Sequence, residues 1–187
     1  MESLDDIQLA SEEKMEKAVS FLQEELSGLR TGKASPHLVE NIQVDYYGTT
    51  QRVRDIANIS TPEPRLIVIS PFDPSSLGAI EKAIQGANLG ITPMNDGRLI
   101  RVPIPELSEE RRKELIKVAK RMSEEQRVAV RNVRREANDA VKALLKEKAI
   151  TEDDRDLALD EIQKSTDQQI KKIDDMLAQK EKDLMEV

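Results

Sequence analysis

The chain has 187 residues, 35% of them charged, and a formal net charge of −7. It lacks Cys, and its one His is His37, which excludes a disulfide framework, a Cys-ligated zinc site, a multi-His metal site and a His-based triad. The longest strongly apolar run, residues 66–69, is too short to span a membrane, and the acidic N-terminus does not resemble a signal peptide. We therefore expect a soluble, cytoplasmic protein with no metal and no cofactor.

Glycine and proline divide the chain into three parts. All seven Gly lie within residues 28–97, and all eight Pro lie within residues 36–105. Because both residues destabilise helix interiors, the flanks predict long helices and the middle predicts a turn-rich insert. We expect a discontinuous helical domain of residues 1–30 and 106–187, with an inserted domain of residues 31–105.

The N-terminal flank predicts one amphipathic helix, because its apolar residues recur at intervals close to 3.5 residues. A helix cannot bury its own apolar stripe, so this helix needs partners. The stripe contains Leu4, Ile7, Ser11, Met15, Ala18, Leu22, Leu26 and Leu29.

The insert changes to the alternating pattern of strands. Ile42, Val44 and Tyr46 alternate with polar neighbours, and residues 48–50 predict a turn. Residues 66–69 predict a buried strand that Pro71 ends, residues 75–87 predict a short helix, and residues 95–97 predict a turn before a strand at 99–102. The insert is therefore predicted to be a small β/α/β domain.

The C-terminal flank predicts two further helices joined by a turn near residues 148–151. Ser108 and Thr151 each precede acidic residues, which predicts a helix start at both places. The apolar repeats contain Leu115, Val118, Met122, Ala129, Val133, Ala137, Ala140 and Leu144, and then Leu159, Ile162, Thr166, Ile170, Ile173, Leu177 and Leu184. The predicted fold class is α+β, with a three-helix bundle of coiled-coil-like packing and the inserted domain.

Three local patterns resemble functional motifs, but each has a better structural explanation. The segment Gly28–Gly32–Lys33 has the wrong spacing for a phosphate loop, and Ala34 replaces the hydroxyl residue. The carboxylates at residues 152–156 fit a charged helix start better than a metal or acid–base site. Tyr46 and Tyr47 point to opposite faces of a strand, so one is expected in the core although stacking on a base stays possible.

The second helix carries the informative charge pattern. Residues 108–135 contain ten Lys and Arg against five Glu, whereas the rest of the chain has 19 basic against 31 acidic residues. At about 100° per residue, a basic stripe is predicted on the side opposite the apolar seam. Arg112 lies nearer the apolar edge. The candidate contacts are Arg112, Lys113, Lys117, Lys120, Arg127, Arg131, Arg134 and Arg135.

A row of basic side chains suits phosphate groups, so the stripe favours nucleic-acid binding. A solvated face with internal ion pairs is the alternative, and Glu124 does interrupt the stripe, although the Arg residues have few acidic partners on that face of the helix. An acidic protein partner is also compatible with the charge alone. No convincing nucleophile or pair of carboxylates appears, so we predict no catalytic residues and no enzyme activity.

At these residues the chain resembles bacterial ribosome recycling factors. The resemblance rests on residues 130–139 (VRNVRREAND) and 141–146 of the second helix, together with 29–36 (LRTGKASP), 44–49 (VDYYGT), 100–103 (IRVP) and 107–113 (LSEERRK). It implies an L-shaped molecule in which Arg131 and Arg134 contact ribosomal RNA. The implied partners are the ribosome, mainly its large-subunit rRNA, and elongation factor G.

The resemblance implies a monomeric translation factor that splits the ribosomal subunits after termination and releases messenger RNA and tRNA. A hinge is expected where the chain passes between the two domains. The outgoing crossing is Arg30, Thr31 and Gly32, and the returning crossing is Pro103, Ile104 and Pro105. The competing interpretation is a coiled-coil scaffold that binds acidic proteins.

Overall fold

The structure is a computed structural model that describes residues 2–186. The chain folds into two compact units. A helical unit holds the described residues up to Leu26 and Ile116–Asp183, and a small unit holds Ser27–Leu115 and the described residues from Leu184 onward. The domain limits predicted above stay a prediction.

The order of helices and strands follows the predicted organisation, with long helices at both ends and a short-element insert between them. In chain order the elements are α1 (Leu4–Ser27), β1 (Gln43–Tyr46), β2 (Thr49–Arg52), α2 (Val53–Ile56), β3 (Ala57–Glu63), β4 (Leu66–Pro71), α3 (Leu77–Gly86), β5 (Met94–Asn95), β6 (Ile100–Pro103), α4 (Glu109–Lys146) and α5 (Glu152–Met185). Long helices packed together with a small sheet domain confirm the α+β class.

Side-chain caps fix where the long helices begin. At α5, the Thr151 hydroxyl accepts a hydrogen bond from the Asp154 N–H at 3.1 Å, and the Asp154 carboxylate accepts one from the Thr151 N–H at 3.0 Å. This reciprocal pair is a capping box. Ser108 caps α4 by accepting from the Arg111 N–H at 3.2 Å. Both predicted starts are confirmed.

The helices of the helical unit run in directions that their side-chain pairs define. From α4 to α5, Lys120 pairs with Glu181 and Arg127 pairs with Asp174, so the two helices are antiparallel. Helices α1 and α5 are parallel, because Gln8 contacts Glu161 and Glu12 contacts Ser165. One apolar core cluster of this unit contains Ile7, Ala137, Val141, Leu144, Ala158 and Ile162.

The small unit opens with a hairpin whose turn differs from the predicted one. Strands β1 and β2 pair with Tyr46 opposite Thr49, so the loop is Tyr47–Gly48. Both loop residues have positive φ, 48° and 80°, which a type I′ turn requires. The prediction of a turn at 48–50 was therefore wrong by about one residue, because Thr49 and Thr50 belong to β2.

An antiparallel sheet of order β3-β4-β6-β5 forms the rest of the small unit. Its inner strands bury Ile67 and Ile69 of β4 and Ile100 and Val102 of β6. Helix α3 contributes Leu77, Ile80 and Ile84 to the same core cluster. The β/α/β architecture is thus confirmed, but β3 was not predicted, because its sequence is polar and most of its residues are exposed.

Candidate nucleic-acid interface

The buried side of α4 is rotated away from part of the predicted apolar stripe. Val118, Met122, Ala129 and Val133 are only partly buried. The fully buried residues are smaller on average and lie between about 260° and 340° when Arg134 is set at zero. They are Leu115, Ala119, Ser123, Val130, Ala137, Val141 and Leu144. Small side chains allow helices to approach closely, and hydrophobicity alone underestimates their burial.

Two of the candidate arginines lie within the line of buried residues on α4, which we call its seam. From Ser123 to Leu144 the buried positions follow the four–three spacing of a coiled-coil seam, and Arg127 and Arg134 occupy two of its positions. Both are partly buried. The prediction that the whole basic stripe points away from the core was therefore wrong at Arg127 and Arg134, which lie on the side of α4 that faces α5.

Arg127 is an ion-pairing clamp between α4 and α5. Its Nε and Nη2 donate to Asp174 Oδ1 at 2.8 and 2.7 Å, its Nη1 donates to Glu124 Oε2 at 3.1 Å, and its side chain is 18% exposed. Partial burial alone would lower the pKa of the guanidinium, but the bonds to Asp174 and Glu124 outweigh it and raise the pKa. The sequence analysis expected few acidic partners on this face of α4 and did not foresee Asp174, which lies on α5.

Arg131 shares Glu124 with Arg127. Its Nη1 donates to Glu124 Oε1 at 3.3 Å, while the other carboxylate oxygen accepts from Arg127. The Arg131 side chain is 39% exposed and that of Glu124 is 55% exposed. The hydrogen bond from Arg127 has the largest effect on Glu124 and, with that from Arg131, lowers the pKa of its carboxyl. The acidic residue that the sequence analysis named as interrupting the stripe is therefore an ion-pair partner of Arg131.

Arg134 contacts α5 through an amide. Its Nη1 donates to Gln163 Oε1 at 3.2 Å, and the Gln163 amide donates in turn to Asp167 at 2.9 Å. The Arg134 Nε is buried with no hydrogen-bond partner among the described residues. The guanidinium therefore keeps donor capacity that this arrangement leaves unused.

The other candidate residues have more solvent access. Lys117 is exposed and forms no hydrogen bond or ion pair within residues 2–186, and Arg135 is exposed with a long contact of 3.5 Å to Asn132. Lys120 pairs loosely with Glu181 at 3.7 Å, and its side chain is 62% exposed. In the small unit's part of α4, Lys113 pairs with Glu109 at 3.1 Å and Arg112 is half-buried.

The predicted hinge residues differ in how firmly the small unit holds them. Pro103 is the last residue of β6, and the Ile104 N–H donates to Arg65 O at 2.8 Å from a buried position. Arg30 Nη2 donates to Pro105 O at 2.9 Å and so ties the outgoing crossing to the returning one. Gly32 has φ of 79°, and Leu107 packs against it.

Other kinds of site find little support in the described residues. Among residues 2–186, the structure brings together no group of His, Cys, Asp and Glu that could hold a metal ion. No helix of that range is both long and apolar enough to cross a membrane. Lys33, the lysine of the phosphate-loop-like segment, forms an ion pair with Glu186.

The residues that sequence reasoning missed are the partners on α5. Asp174 and Gln163 decide the setting of Arg127 and Arg134, yet their own sequence surroundings mark them only as polar residues of a helix. The available signal was the spacing of α4 itself, because two arginines at seam positions need polar partners on a neighbouring helix.

Together these features define a class of protein: a long helical bundle with one basic helix, joined to a small β-sheet domain. A family model described as ribosome recycling factor matches residues 22–185. A ribosome-recycling factor of Oleidesulfovibrio alaskensis is 51% identical over 184 residues, covering 98% of this chain and 100% of that protein. One from Bacillus licheniformis is 50% identical over 177 residues, covering 95% and 96%.

Solved structures agree with the sequence comparisons. A solution structure of a ribosome recycling factor matches with a TM-score of 0.84 and 43% identity over the whole of both chains. The Thermus thermophilus factor, described with Escherichia coli elongation factor G on the E. coli post-termination complex, matches with a TM-score of 0.71 and 41% identity, covering 98% of this chain and 100% of that one. The chain belongs to the ribosome recycling factor family, whose members are translation factors and not enzymes.

Proposed function

We propose that this chain binds the post-termination ribosome in the cytoplasm and, with elongation factor G, splits the subunits and releases messenger RNA and tRNA. The observation that carries the proposal is its 41% identity, over 98% of its length, to the factor described on the post-termination complex with elongation factor G. Any nucleotide hydrolysis in this cycle belongs to elongation factor G.

The basic helix α4 is the proposed rRNA contact. A basic side chain binds phosphate best when it is exposed and has only weak ion pairs within the protein, because a strong internal ion pair must be broken before the phosphate binds. This condition is met by Lys117, Arg135 and Lys120. Arg131 meets it after its ion pair with Glu124 is broken. Arg127 is held by two carboxylates, so its first role is to stabilise the bundle. Arg134 is half-buried and donates to Gln163, so an RNA contact would use the part of its guanidinium that is not buried.

The crossings between the predicted domains are the proposed hinge. Gly32 supplies backbone angles that other residues reach at a cost, and hinge motions generally concentrate at a few such bonds. Because Pro103 and Ile104 are fixed by the sheet, rotation on the returning side should fall at Pro105 and the residues after it.

A subunit-splitting assay tests the function. Light scattering of vacant bacterial ribosomes should fall when the chain, elongation factor G and GTP are added together, and should not fall when any one is omitted. The family assignment of this activity would be wrong for this chain if the complete mixture left the scattering unchanged while a known ribosome recycling factor lowered it.

Substituting Arg131 tests the rRNA contact. Arg131→Ala should weaken co-sedimentation with ribosomes and reduce the dependence of log affinity on log salt by about one unit, if one phosphate contact is lost. Arg121→Ala is the matched control, because Arg121 lies on the same helix, is exposed, and pairs with Glu125. Equal affinities of the two variants would remove Arg131 from the interface.

A further inference from the structure

Glu124 is the acidic residue placed within the basic stripe. Its two carboxylate oxygens accept from different arginines, Oε2 from Arg127 at 3.1 Å and Oε1 from Arg131 at 3.3 Å. A phosphate group bridging two guanidinium groups would use separate oxygens in the same way. The carboxylate therefore occupies one donor of the Arg131 guanidinium, Nη1, that a phosphate would otherwise take.

We propose that Glu124 is a built-in competitor for RNA phosphate, which masks Arg131 in the free protein and is displaced when the ribosome binds. The proposal rests on the proposed function, since it concerns the same rRNA contact. It assigns Glu124 a regulatory role at that contact, and it assigns Arg127 the role of holding Glu124 in place.

The ion pairs with Arg127 and Arg131 hold Glu124 in position, but they are weak enough for a phosphate to displace it. Arg127 is fixed by Asp174 on α5, so it retains a partner whether or not Glu124 stays. Arg131 has Glu124 as its ion-pair partner within the described residues, and both side chains are substantially exposed. Exposed ion pairs contribute little stability and are screened by salt, so a phosphate can displace the carboxylate.

Masking favours a site that offers many phosphates in a fixed arrangement. A single exposed phosphate on a stray RNA must displace Glu124 for one contact, whereas the ribosome supplies further contacts along α4 at the same time. Non-specific binding to nucleic acid arises almost wholly from such phosphate contacts. Displacing Glu124 costs the same free energy for any ligand that contacts Arg131, so the further contacts along α4 offset that cost on the ribosome and leave unrelated RNA weakly bound.

Glu125 provides a matched control for the charge change. It is the next residue of α4, its side chain is 61% exposed, and it pairs with Arg121 at 3.8 Å, outside the candidate contacts. Glu124→Gln and Glu125→Gln change the net charge of the chain equally. A difference between them therefore reports the position of Glu124 and not the total charge.

The experiment measures affinity for purified bacterial large subunits and for an unrelated single-stranded RNA at several salt concentrations. Glu124→Gln should bind large subunits roughly twofold to fivefold more tightly than wild type at low salt, as expected for loss of a competing surface ion pair. The gain should be of similar size on the unrelated RNA and should shrink as salt rises. Glu125→Gln should stay within about twofold of wild type on both ligands.

A double-mutant cycle shows whether Glu124 acts through Arg131. In an Arg131→Ala background, Glu124→Gln should change the affinity by less than about twofold, because the remaining partner of Glu124, Arg127, stays held by Asp174. A gain that persists in this background, or equal effects of the Glu124 and Glu125 substitutions, would overturn the proposal. If wild type itself fails to bind large subunits, the proposed function fails and the masking role falls with it.

Discussion

At the scale of single residues, the arginines of α4 are sorted by their neighbours and not by their charge. Arg127, Arg131 and Arg134 recur at similar intervals, yet one meets two carboxylates, one meets a shared carboxylate and one meets an amide. The four–three seam brings Arg127 and Arg134 beside α5 and leaves Arg131 further toward solvent. Stability and RNA contact are therefore expected to be separable by substitution.

Arg127 should matter more for stability than Arg131. Arg127→Ala removes a partly buried guanidinium and leaves Asp174 without its partner, which should lower the free energy of unfolding by about 1–3 kcal/mol. Arg131→Ala removes an exposed pair and should cost about 0–1 kcal/mol. Urea unfolding of the full chain followed by circular dichroism measures both. Equal unfolding midpoints for the two variants would show that the ion pairs of Arg127 stabilise the fold no more than that of Arg131 does.

At the scale of elements, the sequence was informative wherever a pattern depended on the chain alone. Heptad-like spacing predicted the buried residues Ile7, Ser11 and Met15 of α1, and capping residues predicted where α4 and α5 begin. The seam of α4 was misjudged because α4 shares a core with both α1 and α5, and because the buried residues Ala119 and Ser123 are small and weakly hydrophobic. Packing of that kind has no local signature.

The candidate interface shows the same limit. The charge pattern and the family resemblance identified Arg131 and Arg134 as candidates, but the acceptors on α5 are 29 to 47 residues away in the chain from the arginines they bind. Strand β3 escaped prediction for a related reason. It is an edge strand held by backbone pairing with β4, and such pairing places little demand on its exposed side chains.

The hairpin turn gives a test of backbone conformation with little steric interference. Gly48 has φ of 80°, and an added Cβ would meet no atom within 4 Å. Gly48→Ala should therefore destabilise the chain by about 1 kcal/mol through backbone strain. Gly78 of α3 is equally unobstructed but has no positive φ, so Gly78→Ala should stabilise by up to about 1 kcal/mol. Urea unfolding checks both, and a shift of the same sign would contradict the assignment of strain.

The stability of the turn between β5 and β6 should depend on pH. The Asp96 carboxylate accepts from the N–H groups of Leu99 and Arg98 at 2.8 and 2.9 Å and pairs with Arg101. These bonds, that from Leu99 foremost, lower its pKa from 3.8 to about 2. Because the folded pKa is lowered, the stabilisation is present above pH 3.8 and is lost as pH falls toward 2.

Asp96→Asn removes that charge with little change of shape. The variant should unfold at lower urea concentration than wild type at pH 6, and the gap should narrow between about pH 4 and pH 2. Titration of the wild-type carboxyl by NMR should give a midpoint near the lower value. A gap that stayed constant over the acidic range would mean that the charge of Asp96 does not hold the turn.

At the scale of the whole molecule, the proposed rRNA contact and the proposed hinge lie in different parts of the chain. The basic segment, residues 108–135, lies on α4, while Gly and Pro are confined to residues 28–105 and build the sheet domain and its crossings. Binding and movement can then be altered independently. If the crossings are the hinge, restraining them should leave the basic helix free to bind and should block the step that needs movement.

A reversible tether across the crossings tests this directly. An added Cβ at Gly32 would lie 3.7 Å from Leu107 Cγ and 3.8 Å from Leu107 N, so Gly32→Cys with Leu107→Cys places two thiols within reach of a disulfide. The chain has no native Cys, so the bond can form only between these two. It would fasten the outgoing crossing to position 107, two residues past the returning crossing, in addition to the existing Arg30–Pro105 hydrogen bond.

The oxidised protein should co-sediment with ribosomes about as well as its reduced form, since no residue of the basic stripe is changed. Subunit splitting with elongation factor G and GTP should fall sharply on oxidation and return on reduction, because a covalent tie removes the few backbone rotations on which a hinge depends. Gly32→Cys alone is the control, because it carries the strain of a side chain at φ of 79° without the bond. Full splitting activity in a verified oxidised sample would show that these crossings do not need to move.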